Sequence, residues 1–307
     1  MAKVTAKLFY QKRMIKNKVH ATQLLSHFKQ KHTWLDIIGL VLVWSLALKV
    51  PAEVNIILTI PFATILKISA LVATLELMAF FLFHLFSRKN SLLIQCFLGG
   101  FISSTLVFLK IVSENNSHIK INRVTQIALL LTMLAMTIES LTIIMLLHPH
   151  DFWPIAVPFL TQLLLLLLLL IIFHVVKIKS LKNSLAPSTI SLPEYDHPIL
   201  WKNVAKFSLI MLVLIYVMRF LNQFLTFPAF ISSMIVAMFE AHGALVAADS
   251  LPSYHHSILA ILIGSNLSKI LILLKLKDPQ LKKFLIFSIF GITTFCLVVF
   301  ILIDQLF

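Results

Sequence analysis

The sequence predicts an all-α polytopic membrane protein, and three observations carry that prediction. Hydrophobic residues make up 59% of the 307 residues and charged residues only 12%. The mean hydropathy is +0.97, and runs such as Leu163 to Phe173 contain no polar side chain. These apolar runs extend for about 20 residues without the alternation of a barrel strand, and in lipid only helices or closed barrels satisfy the backbone. The length then points to one membrane domain rather than two soluble ones.

Residues 1–33 form a basic tail in which Lys3, Lys7, Lys12, Arg13, Lys16, Lys18, Lys29 and Lys31 are interleaved with apolar residues. A helix lying on an anionic inner leaflet suits this mixture, and so does a flexible tail that fixes orientation; both put the amino terminus in the cytoplasm. The tail has no apolar core and no small-residue cleavage site, so no secretory signal is expected. A first membrane half, residues 34–176, has apolar segments at Trp34–Val50, Phe62–Phe86, Ser91–Val112, Val124–Leu147 and Trp153–Val176. Its third segment is interrupted by Gly99-Gly100, and a polar loop is expected from Ser113 to Arg123. A linker rich in Ser, Pro and Lys occupies 177–203. The second half, 204–307, has segments at Val204–Leu225, Ala229–Ala248, Ser257–Leu274 and Phe284–Leu302.

The formal net charge of +14 does not argue for nucleic acid. Lys and Arg sit in tails and short loops beside apolar spans, where the positive-inside rule and anionic lipid account for them. Cys96 and Cys296 fall within spans and read as small hydrophobes, with no disulfide expected.

Loop charge bears on topology. If all nine apolar segments cross, Lys110, Lys120, Arg123, Lys177, Lys179, Lys182, Lys202 and Lys206 fall outside, against the positive-inside rule. If Ser91–Val112 and Ala229–Ala248 each dip in and return, broken near their glycines, every loop Lys or Arg except Lys49 becomes cytoplasmic. The sequence is thus read as seven to nine transmembrane segments in two similar halves. In the seven-span version, two re-entrant broken segments enter from opposite sides, the arrangement of inverted-repeat transporters.

Three short motifs, GGFISST (99–105), MFEAHGALVAADS (238–250) and SNLSK (265–269), carry a family resemblance. The chain resembles the uncharacterised membrane domain that often forms the carboxy-terminal half of MgtC/SapB-type bacterial proteins. Gly99, Gly100, Ser103, Ser104 and Thr105 match its first motif, and Asn266 and Lys269 approximate its third. In its second motif, Glu240 and His242 stand where the family has two aspartates, and Gly243 where it has alanine. The resemblance covers about residues 35–305, with no counterpart of the MgtC-type amino-terminal domain. It implies a bacterial inner membrane and an association with ion or magnesium homeostasis, without an established activity.

An ionisable group in a span is costly unless it is paired or faces water, which singles out several residues. Glu240 and His242 are two apart and would point about 200° away from each other on a regular helix, so both face one cavity only if the backbone is irregular there. Together they are the candidate ligands for a divalent cation or the carriers of a proton, since imidazole titrates near neutrality. Asn266 and Lys269 share a helix face, and Lys269 is a candidate counter-charge for Glu240. Glu139 and Arg219 form a candidate ion pair between the halves, while Glu76 has no evident partner in the sequence. Ser103, Ser104 and Thr105 follow the glycine break and offer hydroxyls and N–H groups at a helix start, or simply close packing. FISS recurs at 230–233, but the family register pairs 99–105 with 238–244 instead. His148, His150 and Asp151, with Tyr254, His255 and His256, are candidates for an outer vestibule or just two polar turns.

The function expected is a small-ion transporter or permease, for a cation or a proton-coupled solute. Its pathway is lined by Ser103, Ser104, Thr105, Glu240, His242, Gly243, Asn266 and Lys269. The alternative is a regulatory membrane protein that binds another inner-membrane complex. No enzyme is expected, because no nucleophile elbow, phosphate loop or paired metal motif is present. The expected partners are the bilayer and a small ion, and a homo-oligomer is among the states the sequence allows.

Overall fold

The computed structural model describes residues 31–50, 62–85, 91–117, 123–176, 199, 201–224, 229–248 and 254–305. Residues 1–30 of the basic tail and most of the 177–203 linker lie outside the described residues, and α1 takes in the tail's last three residues. Among those described there are ten helices and no strand: α1 (Lys31–Lys49), α2 (Phe62–Leu85), α3 (Ser91–Ser117), α4 (Arg123–Leu147), α5 (Phe152–Val176), α6 (Trp201–Phe224), α7 (Ala229–Phe239), α8 (Ala241–Ala248), α9 (Tyr254–Leu274) and α10 (Pro279–Asp304). Four described stretches are long and apolar enough to cross a membrane: Val124–Leu147, Phe152–Phe173, Tyr254–Leu274 and Pro279–Asp304. They mark the chain as a membrane protein.

These four helices differ in where they sit. In α4 and α9, 72% of the apolar window is buried inside the fold, against 33% in α5 and 22% in α10, so α4 and α9 are the central pair. The outer helices turn Leu164, Leu168, Ile171, Phe287 and Phe290 outward, as lipid-facing helices do. Helix α3 packs on α4 and α7 on α9, while α5 and α10 pack on each other. The short α8 is wedged against α4, α6 and α9.

Lipid is as apolar as leucine, so burial alone does not hold such helices together; close backbone approach and polar contacts do. Gly264 of α9 lies against the backbone of Met234, and any Cβ there would run into the Met234 carbonyl oxygen. A Cβ on Gly100 of α3 would come within 2.7 Å of the Thr132 carbonyl oxygen of α4. The Thr132 hydroxyl spans the same contact, donating to Ala128 O at 2.9 Å and Cys96 O at 3.1 Å. On the far side, α1, α2 and α6 share a small cluster of Leu40, Ala73 and Val204 with Trp44, Leu77 and Trp201. Trp201 Nε1 donates to Asp36 Oδ1 at 2.9 Å, tying the start of α6 to the start of α1.

Two helices are broken. Within α3, Ser103 takes extended angles, φ −165° and ψ 99°. Its Oγ accepts from the Leu106 N–H at 3.4 Å, capping the helix that restarts. The chain turns back there: a Cβ on Gly99 would lie 2.8 Å from Val107 Cγ2, although eight residues of straight helix span about 12 Å. The expected interruption at Gly99-Gly100 thus falls at Ser103, because the glycines are used for the approach to Val107 and to α4. The segment also runs on to Ser117 instead of ending at Val112. The second break lies at Glu240, between α7 and α8, and not at Gly243. It is two residues from where the 99–105 to 238–244 register maps Ser103, and eight from where the FISS repeat maps it. At the other end of the second half, α10 begins five residues before the expected Phe284. Asp278 Oδ1 accepts from Gln280 N at 2.7 Å and Leu281 N at 3.0 Å, and Pro279 occupies the first turn.

Candidate functional site

Glu240 ends one helix and starts another. Its N–H donates to Val236 O at 3.1 Å, and its carbonyl accepts from Ala244 N at 3.1 Å. The side chain completes the cap, with Oε1 accepting from the His242 N–H at 3.1 Å. The same interruption swings the His242 ring back, and Nδ1 lies 3.0 Å from that oxygen. On the other edge of the ring, Nε2 faces Glu139 Oε2 of α4 at 3.5 Å. Carboxylate, imidazole and carboxylate form a row across the junction of α8 and α4. Side-chain exposure falls along it from 20% at Glu240 to 5% at His242 and 1% at Glu139, so the row leads from the accessible end inward.

Lys269 of α9 is fully buried, and its Nζ donates to Ser265 Oγ at 2.8 Å and Ser265 O at 3.1 Å. Among the described residues it forms no ion pair with Glu240. With both carboxyls ionised and both bases protonated, these four groups sum to zero charge, which limits the cost of their burial. The Ser265 hydroxyl also lies 3.2 Å from Met136 Sδ, joining α9 to α4 one turn from Glu139.

Asn266 belongs to a second polar assembly that crosses four helices. Its Nδ2 donates to Gln162 Oε1 of α5 at 2.8 Å and to Thr293 Oγ1 of α10 at 3.0 Å. Gln162 Nε2 in turn donates to Thr137 Oγ1 of α4 at 2.7 Å. Sequence reasoning passed over Thr137 and Gln162; the available signal was a lone amide at the head of an otherwise unbroken leucine run.

The other candidates are distributed as follows. Ser103 caps the restarted half of α3, Ser104 is buried and Thr105 half-buried. Among the described residues no hydrogen bond joins these three to Glu240, His242 or Asn266. Gly243 is buried in α8, with Leu214 of α6 against it. Glu139, expected opposite Arg219, stands against His242; Arg219 lies on α6 with its side chain outside the described ones. Glu76 is buried in α2, and both cysteines are buried and free. Of the residues expected in a vestibule, His148 packs on Tyr254 with tilted rings and centroids 4.3 Å apart, and His256 Nε2 lies 3.9 Å from Asp304 Oδ2. His150, Asp151 and His255 are exposed.

Glu139 and Glu240 lie on opposite edges of the imidazole, in a line rather than around a point. Among the described residues no three His, Cys, Asp or Glu side chains form a metal-holding group. Buried side-chain atoms without a hydrogen-bond partner include Glu139 Oε2, Ser140 Oγ, Ser233 Oγ, His242 Nε2 and Asn266 Oδ1. These five belong to α4, α7, α8 and α9, and Asp36 Oδ2 of α1 is another such atom. Unmet polar groups are expensive away from water, and two of these atoms, Glu139 Oε2 and His242 Nε2, face each other across the junction of α4 and α8.

The family model described as Domain of unknown function (DUF4010) matches residues 70–276. That stretch runs from α2 to the end of α9 and takes in both helix breaks, the Glu240–His242–Glu139 row, Asn266 and Lys269. No curated protein and no solved structure matches the chain.

Proposed function

The chain belongs to the DUF4010 family, and we propose that it is a small-ion permease of the inner membrane, cation-translocating or proton-coupled, with its pathway at the junction of α8 and α4. The observation that carries this reading is the row of Glu240, His242 and Glu139 across a helix break. An imidazole between two carboxyls takes a proton at one nitrogen and releases one from the other. Its Nδ1 is at hydrogen-bond distance from Glu240, whereas the 3.5 Å to Glu139 is too long for direct transfer. Movement of the ring toward α4 closes that gap, which makes it the gated step.

The topology that fits this function has seven spans and two re-entrant segments. The reversal of α3 at Ser103 supports the first re-entrant segment. The second is supported by two contacts: Trp201 against Asp36 brings the starts of α6 and α1 together, and His148 against Tyr254 brings the end of α4 and the start of α9 together. With α4, α5 and α6 each crossing once, α7 and α8 must then enter and return on the same side. Lys110 and Lys275 line one cavity at the opposite face, as cytoplasmic lysines would. The amino terminus is cytoplasmic in this arrangement, and the halves are inverted repeats that pair α3 with α7–α8, α4 with α9 and α5 with α10. The association with ion homeostasis rests on the motif resemblance to the MgtC/SapB-type domain alone.

Reconstitution in proteoliposomes tests the activity. A pH gradient should drive tracer cation exchange in the wild type, and Glu139→Gln and His242→Gln should lose it while melting at the same temperature. No flux in the wild type under any cation or pH gradient, or wild-type flux in both variants, defeats the reading. Topology has its own test: cysteines at 151 and 255 should label from one side of the membrane and cysteines at 113 and 275 from the other.

A further inference from the structure

The four-helix assembly leaves one buried oxygen free to meet a cargo. Thr137 Oγ1 lies 2.8 Å from Met133 O, and Thr293 Oγ1 lies 2.8 Å from Ile289 O. Two oxygens sit that close only with a hydrogen between them, and a carbonyl has none to give, so both hydroxyl hydrogens are committed to their own helices. Each threonine oxygen can then only accept. Gln162 must present its NH₂ to Thr137, which turns its carbonyl toward Asn266. Asn266 must present its NH₂ to that carbonyl and to Thr293, which uses both of its N–H bonds.

The orientation of both amides is therefore dictated by two back-bonded threonines. What remains is Asn266 Oδ1, which accepts no hydrogen bond among the described residues, on a side chain only 1% exposed. A carbonyl oxygen held this way offers lone pairs and repels an anion. The assembly contributes neutral side chains only, one each from α4, α5, α9 and α10. Carbonyl oxygens serve divalent ions too, but beside carboxylates that balance the charge, whereas a set of neutral oxygens alone suits a monovalent cation. One residue away, the Ser265 carbonyl and hydroxyl already hold the ammonium of Lys269 by neutral oxygens. We infer that Asn266 Oδ1 is a ligand for the permeating ion and that this ion is a monovalent cation, an alkali metal or ammonium, which rests on the permease reading above.

The test is the thermal stability of the purified full chain in detergent at constant ionic strength, with choline chloride replaced by NaCl, KCl, NH₄Cl or MgCl₂. A ligand that binds the native state raises the melting temperature in a saturable way. At least one monovalent cation should do so; a response to sodium or potassium identifies an alkali metal, and a response to ammonium alone identifies the N–H donor. Asn266→Leu should abolish the shift. Thr293→Val, a near-isosteric change that removes one anchor of the amide, should weaken apparent affinity several-fold and keeps the test open if the leucine variant does not fold. A shift produced only by Mg²⁺ or by exchanging the anion overturns the inference, as does no shift at all or a shift that survives both substitutions. Saturable binding without flux would sink the permease reading and leave this site standing, while flux without any cation-dependent shift would do the reverse.

Discussion

The two helix breaks solve one problem with different chemistry. Each restarts a helix inside a membrane protein, where the first N–H groups of the new helix need an acceptor. At Ser103 the acceptor is a hydroxyl, and residues 99–106 contain no ionisable side chain. At Glu240 the acceptor is a carboxylate, which binds the His242 ring with the same oxygen that caps α8. A hydroxyl cap can only hold the backbone. A carboxylate cap also places a proton acceptor at the bend, so the second break joins architecture to chemistry.

Exchanging the chemistry of the caps separates the two breaks. Glu240→Gln keeps an oxygen for the cap and removes the titratable group, so proton-coupled flux should drop by about 100-fold or more, with little change in melting temperature. Ser103→Ala should leave flux at the wild-type level. Equal losses in the two variants would mean that both breaks work only as architecture.

A smaller effect, on stability, separates the glycines around the breaks. Gly264→Ala forces a Cβ into the Met234 carbonyl, which cannot move without its helix, and should destabilise by about 3 kcal/mol. Gly99→Ala meets only the tip of the Val107 side chain and should cost under about 1 kcal/mol. Denaturant titration in detergent measures both, and reversal of their order would put the tight helix contact at the first break instead. The smallest effect belongs to the cap itself. With its 3.4 Å hydrogen bond, Ser103→Ala should destabilise by about 0.5 kcal/mol in the same titration; a loss several times larger would show Ser103 to be more than a cap.

Much of the site is legible in one dimension. Glu240, His242, Asn266 and Lys269 stand out because an ionisable or amide side chain in an apolar segment has few innocent explanations. Their angular separation on a regular helix even required a break near His242. The contact of Glu139 with His242 was not legible, because it depends on α8 packing against α4, and the sequence offered Arg219 as the opposite charge. Thr137 and Thr293 escaped notice because a threonine in an apolar helix satisfies itself on the carbonyl four residues back and leaves no mark in the sequence.

What the sequence alone determined is the helical membrane class and the position of most helices, because lipid obliges each segment to satisfy its own backbone and that obligation is local. The tertiary structure decided which polar groups meet. Among helices of nearly uniform hydrophobicity, the side that faces a neighbour is set by where two backbones can touch, at Gly100 on α4 and at Gly264 on α7, and no single segment carries that information.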